Sequence, residues 1–372
     1  MAVAPELFHV DKLTCDIFSM LENKFLFGPA SHTGKVRILS IDGGASSDGV
    51  FAAASLARLE EFLRLKSGTS DSALADYFDV AAGSGSGGIL AALLFLRGKD
   101  NRPMFSARNA LELMLKMKRL SSRGFLKRIV NPSQSRRKGK ILDSLFGDLT
   151  LKDALKPLLI PCYDKSSGAP FLFSRADGLE INGYDFRISD ICAATSAFTS
   201  PVETMSVDGK TRIVAVGGGS ATNNPTASAI THVLNNKMEF PLCKGMEDLL
   251  VVSIGYGGPS DGAADMVDQA VGMAFGSCRG NYVRIEASEV KEKAKKVDAF
   301  AAAEASLSQR NVESVLFQGK KLSSSTNLQK LEAFAADLVH EHERRKTCIV
   351  PFVVLKHNLS SITPRSSSSS SC

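Results

Sequence analysis

The sequence lacks the long apolar run that a membrane-spanning helix needs. Its longest, Ile89–Leu96, covers eight residues, against the ~20 of a transmembrane helix. The opening stretch MAVAPELFHVDKL carries Glu6 and Asp11 and has no apolar centre, so no secretory signal is expected there. The seven cysteines are scattered, odd in number and form no C-x-x-C. Neither a disulfide framework nor a zinc site is expected from them, and a reducing compartment is. Tryptophan is absent, and aromatic residues reach only 7%. A cytoplasmic protein with no metal and no cofactor is the expectation, with peripheral membrane attachment allowed.

What is present is the composition of a globular protein. Of 372 residues, 44% are hydrophobic and 23% charged, ordinary values for a folded chain. The length allows two or three domains, or one large α/β domain with tails. The net charge of +6 is local: ten of the 45 basic residues lie between Lys116 and Lys140 with no acid among them, leaving 35 basic against 39 acidic elsewhere. Arg119, Arg123, Lys127, Arg128, Arg136, Arg137 and Lys138 are seven of those ten, interleaved with Leu115, Met117, Leu120, Phe125, Leu126, Ile129 and Val130. Such a segment reads either as a solvated loop between helices or as a basic amphipathic surface for anionic membranes. No aromatic stacking platform or helix-turn-helix pattern accompanies the charge, so nucleic acid is not an expected partner.

Residues 1–35 read as a helical lead-in. Val36–Ile41 (VRILSI) reads as a buried parallel strand, followed by Asp42-Gly43-Gly44 and a helix over Val50–Leu65. Phe78–Ala82 (FDVAA) reads as a second strand, running through Gly83-Ser84-Gly85-Ser86-Gly87-Gly88 into a helix over Ile89–Arg97. Beyond the basic segment come a strand at Pro170–Ser174, a helix at Ile188–Ala197 and a strand at Arg212–Val216 that ends in Gly217-Gly218-Gly219. A helix opens near Asn224-Pro225, and Leu249–Ile254 is a further strand. Residues 291–345 read as largely helical, Thr347–Leu355 as a last strand, and 359–372 as a disordered Ser-rich tail. Strands alternating with helices, several ending in glycine turns, predict a three-layer α/β fold with its chemistry at the carboxyl ends of the strands.

Two local patterns point to chemistry. Gly83, Gly85 and Gly88 satisfy G-x-G-x-x-G between a strand and a helix, the frame of a dinucleotide site. The acidic residue that such a site wants at the end of a second strand is missing, since Asp100 lies in a polar turn. The same stretch also has the frame of a nucleophile elbow, G-x-S-x-G, in which a sharp strand-to-helix turn lifts a serine beside backbone N–H donors. Its central position is Gly85, flanked by Ser84 and Ser86.

At these residues the chain resembles the patatin-like lipid acyl hydrolases, and within them the plant group III branch. Their elbow, FDV-x-x-G-T-S-T-G-G, is similar to Phe78-Asp79-Val80 followed by Gly83 to Gly88. Their oxyanion loop, L-S-I-D-G-G-G-x-R-G, resembles Leu39 to Gly49, with Gly43, Gly44 and Ala45 in the donor stretch. Their base motif, D-G-G-x-x-A-N-N-P, resembles Gly217 to Pro225, with Gly218, Gly219, Asn223, Asn224 and Pro225 as its frame. Their A-T-S-A-A-P-T segment resembles Ala194 to Ser200, and their S-L-G-T-G strand end is similar to Ser253 to Gly257.

The resemblance implies a patatin-like domain over 36–258 that includes the basic insert 116–140, and a helical part of the same fold over 259–358. It also implies a serine nucleophile and an aspartate base. Here both places hold glycine, Gly85 and Gly217, and the loop's arginine is gone, with Asp48 near its place. The expectation is a catalytically inactive or severely impaired relative of lipid metabolism that acts through binding of acyl lipids or membrane surfaces or through regulation. An active lipid acyl hydrolase that uses Ser84 or Ser86, and a nucleotide-binding protein, are the alternatives.

Overall fold

The computed structural model describes residues 34–43, 49–98, 100–122, 141–198, 200–217, 223–256, 262–287, 298–315, 319–348 and 351–355. The lead-in before residue 34, the basic residues Arg123 to Lys140 and the serine tail lie outside them.

Apolar runs form the first elements as expected. Strand β1 (Val36–Ile41) leads to helix α1 (Val50–Ser67) and the short α2 (Leu74–Tyr77), and β2 (Val80–Gly83) leads to α3 (Ser86–Phe95) and α4 (Ala107–Ser122). The middle of the chain holds β3 (Leu158–Asp164), β4 (Ala169–Ser174), α5 (Arg175–Glu180), α6 (Ile188–Thr195), β5 (Val202–Met205), β6 (Arg212–Gly217) and α7 (Thr226–Asn235). The last part holds β7 (Leu249–Tyr256), α8 (Gly262–Phe275), β8 (Tyr282–Ala287), α9 (Ala299–Leu307), β9 (Arg310–Val315), β10 (Gly319–Thr326) and α10 (Asn327–Lys346).

Eight strands make one sheet, in the order β5-β6-β3-β2-β1-β7-β8 with β4 also on β3. Strands β3, β2, β1, β7 and β8 are parallel neighbours. Side chains alternate across a strand, and β1 divides accordingly. Leu39 and Ile41 join one core with α1, α3, α4, α6 and α10, whereas Val36 and Ile38 join a second core with α7 and α8. With both faces covered, the result is the expected three-layer α/β fold. Among the described residues no helix is long and apolar enough to cross a membrane.

One detail of register positions the site. Strand β2 pairs with the start of β3 (Ala82 opposite Leu159), while β6 pairs antiparallel with its end (Gly217 opposite Cys162). The carboxyl ends of β2 and β6 therefore run toward each other along β3. They stop on either side of Pro161, which has no N–H to donate to a ladder.

The C-terminal part is tied to the same sheet by a buried ion-pair cluster. Asp79 accepts from the Arg37 backbone N–H at 2.8 Å and pairs with Arg37 at 3.0 Å and Arg345 at 2.8 Å. Glu341, one turn before Arg345, accepts from Lys35 N–H at 3.0 Å. Burial opposes the charge on Asp79, but the two guanidinium groups outweigh it and hold its carboxyl well below the usual range.

Four expectations are corrected. Within 291–345, residues 310–326 contain a β-hairpin, β9–β10, not helix. The segment 347–355 has no strand among its described residues; Pro351 interrupts it, and Val354 N–H makes a single backbone bond to Glu239 O at 2.8 Å. The helix expected at Ile89 starts at Ser86, because the glycines of its first turn let it press against the sheet. Strand β8 was hidden because Arg284 and Glu286 look like surface charges, yet they are buried and paired.

Candidate functional site

The turn between β2 and α3 has the shape that the elbow motif predicts. Gly85 sits at φ 52°, ψ −121°, just ahead of the helix, a conformation that costs an ordinary residue about 1–3 kcal/mol. Gly83 and Gly87 have no room for a side chain, since a Cβ on either would overlap backbone carbonyls (Gly87 and Ile41 respectively). Gly88 packs on Thr195 and Ile160.

The donors of the turn are already used. Gly85 N–H donates to Thr195 Oγ1 at 2.9 Å, and that hydroxyl donates to Pro161 O at 2.7 Å. The N–H groups of Gly87 and Gly88 both donate to Ser84 O, at 2.8 and 3.2 Å. These are groups that a dinucleotide pyrophosphate would need.

Gly43, after the end of β1, lies against this turn. Gly43 N–H donates to Ser84 Oγ at 3.2 Å, and a Cβ on Gly85 would overlap the Gly43 carbonyl oxygen. Gly44, Ala45 and Asp48 lie outside the described residues, as do Gly218 and Gly219. Of the base motif, Asn223, Asn224 and Pro225 are placed. Ser84 Oγ donates to Asn223 O, the Asn224 side chain accepts from Thr226 N–H at 3.0 Å, and Pro225 precedes α7 at its N-cap.

The two flanking serines differ. Ser84 is fully buried and cross-links the loop, the elbow and the base motif through the two bonds just given. Ser86 Oγ is buried with no hydrogen-bond partner among the described residues, so no general base stands within hydrogen-bond reach of it there.

Gly217 and Gly85 converge as the β2/β6 register requires, and one side chain lies on both. The Phe198 ring places Cζ 3.0 Å from the Cβ position of Gly85 and Cδ1 3.0 Å from that of Gly217. Gly217 N–H donates to Ala197 O at 2.9 Å, which holds the end of β6 beside this ring. The position of Phe198 was not read from the sequence, although the signal was there: a ring where the resembling motif has a small residue.

A buried polar system under the loop was also missed. Asp42 pairs with Arg284 at 2.6 Å, both side chains nearly inaccessible. Arg284 Nη1 donates to Ser253 Oγ at 2.8 Å, and Thr226 Oγ1 bridges Ser253 and Ser40 at 3.0 and 2.8 Å. Burial works against the charge on Arg284, but Asp42 more than offsets it and raises its pKa. Asp42 therefore acts as an anchor for the start of the loop.

Of the basic residues singled out, Arg119 is described; it is exposed near the end of α4, and the others lie beyond. Among the described residues no group of His, Cys, Asp and Glu side chains could hold a metal ion.

Comparison with known proteins agrees with this geometry. The family model for patatin-like phospholipase matches residues 39–230. Patatin-like protein 3 of Oryza sativa is 48% identical over 90% of this chain and 92% of its own length. Patatin-like protein 7 of Arabidopsis thaliana is 45% identical, covering 94% and 85%. The Arabidopsis protein named "Probable inactive patatin-like protein 9" is 39% identical, covering 89% and 93%. With the elbow turn, the facing loop and the converging strand ends on one sheet, and with relatives matched over nearly their whole length, this chain belongs to the patatin-like phospholipase family.

Proposed function

We propose that this chain is a member of the family that binds acyl lipid or a membrane surface in lipid metabolism without turning it over. The observation that carries the reading is the state of the dyad positions. Gly85 and Gly217 have no side chain to attack an ester or take up a proton, and the Gly43 carbonyl takes the space in which a nucleophile's Cβ would begin. Ser84 is committed to two structural hydrogen bonds, and among the described residues no base stands within hydrogen-bond reach of Ser86. The retained frame around those positions supports a lipid-facing cleft, and the segment from Lys116 to Lys140 supports contact with anionic lipid.

We extend the proposal to the domain layout. Residues 36–258 and 259–358 form one folding unit, because β8 completes the sheet and Arg345 reaches Asp79.

Vesicle flotation tests the binding reading. The protein floats with vesicles containing anionic phospholipid and stays behind with neutral ones, and neutralising Arg119, Arg123, Lys127 and Arg128 together weakens flotation at least tenfold. Binding that ignores lipid charge, or none to any vesicle, would contradict it.

A further inference from the structure

The two glycines that vacate the dyad do not leave an empty chamber, because Phe198 stands in it. Its ring touches the Cβ positions of both Gly85 and Gly217, 3.0 Å from each. The segment that carries the ring is fixed on both sides. Phe198 follows the end of α6, where Thr195 is tied to Gly85 N–H and to Pro161 O, and Ala197 O holds Gly217 N–H. The backbone at Ala197 also closes the flank of Gly217, its N and C atoms 3.1 Å from that residue's Cβ position. Among the described residues the chamber is thus bounded by backbone and filled by one side chain, the half-buried Phe198.

We propose that Phe198 is a built-in occupant of the former catalytic slot and sets its ligand selectivity: a single acyl chain enters between Gly85 and Gly217 only where the ring has turned out. This rests on the lipid-binding reading above and gives it a location. Removing the ring opens space beside Gly85, Gly217 and the Ala197 backbone, and space vacated by an apolar side chain suits an apolar ligand. Among the described residues the nearby N–H donors of Gly43, Gly85 and Gly217 already have partners inside the protein, which favours an acyl chain over a polar molecule.

The experiment is a fluorescence titration with a single-chain fatty acid carrying a polarity-sensitive probe, kept below its micelle concentration. It compares wild type, Phe198→Ala and Phe198→Leu. The expected result is a Kd at least tenfold lower for Phe198→Ala, with Phe198→Leu between the two. Adding Gly217→Leu to Phe198→Ala refills the slot from its other wall and returns Kd toward the wild-type value. Equal Kd values in all variants, or tightening that Gly217→Leu does not reverse, overturns the assignment. Phe198→Leu keeps an apolar side chain in place, so it decides the matter if the alanine variant does not fold. Vesicle flotation of the wild type is read separately: its failure counts against the lipid-binding reading, whereas an unchanged Kd beside normal flotation counts against Phe198 alone.

Discussion

At position 85 the backbone holds a conformation that suits glycine, and the neighbouring Gly43 carbonyl occupies the place of a Cβ. Restoring a serine there is therefore not a simple repair. Gly85→Ser is expected to lower stability by about 1–3 kcal/mol through backbone strain and overpacking, measured as a shift in the urea midpoint. Together with Gly217→Asp it is expected to bring no ester hydrolysis, because Phe198 stands between the two positions. A gain of activity in that double variant would show that the loop and ring yield easily. Ser84 makes the opposite case, a polar group whose value is structural. Ser84→Ala leaves Gly43 N–H and Asn223 O without this partner and is expected to cost about 1–3 kcal/mol, read from chemical denaturation, with no effect on any residual hydrolysis.

Among the elements, β1, β2 and the end of α10 meet at Asp79. A carboxylate held between two buried or half-buried arginines is costly to lose, since Arg37 then loses the carboxylate it pairs with and Arg345 is left with Glu341. Asp79→Asn is expected to destabilise the fold by about 3–5 kcal/mol at neutral pH and to speed hydrogen exchange along α10. The sign with pH follows from the lowered carboxyl pKa. The stabilisation is fully present above the ordinary carboxylate value and is lost as pH falls through the depressed one, so wild type and variant converge only in acid, well below about pH 4. Urea midpoints across a pH series check this. The same elements show what the sequence made legible. Strands β1, β2, β6 and β7 announced themselves as apolar runs ending in glycine, and the tight turn at Gly85 followed from its glycine pattern. Strand β8 did not, because Arg284 and Glu286 are buried through partners far along the chain. Phe198 did not either: its importance arises only where the ends of β2 and β6 meet, which depends on register along β3. The hairpin β9–β10 was hidden by its polar, serine-rich second strand.

Across the described residues, the turn at Gly85 keeps a tight strand-to-helix shape, and the positions where the resembling motifs carry a nucleophile and a base hold glycine. The basic segment adds a charge that the rest of the chain, slightly acidic, does not share. Its attraction for anionic vesicles is expected to fall steeply as salt rises, since screening acts within ~8 Å at physiological ionic strength, and flotation at increasing salt measures it. The most direct test of the central claim, that the fold persists without its ester chemistry, is the initial rate of p-nitrophenyl ester hydrolysis by the purified protein beside Ser84→Ala and Ser86→Ala. The account predicts a background rate that neither substitution changes. Turnover in the ordinary enzymatic range, about 1 s⁻¹ or more, abolished by either serine substitution, would contradict it.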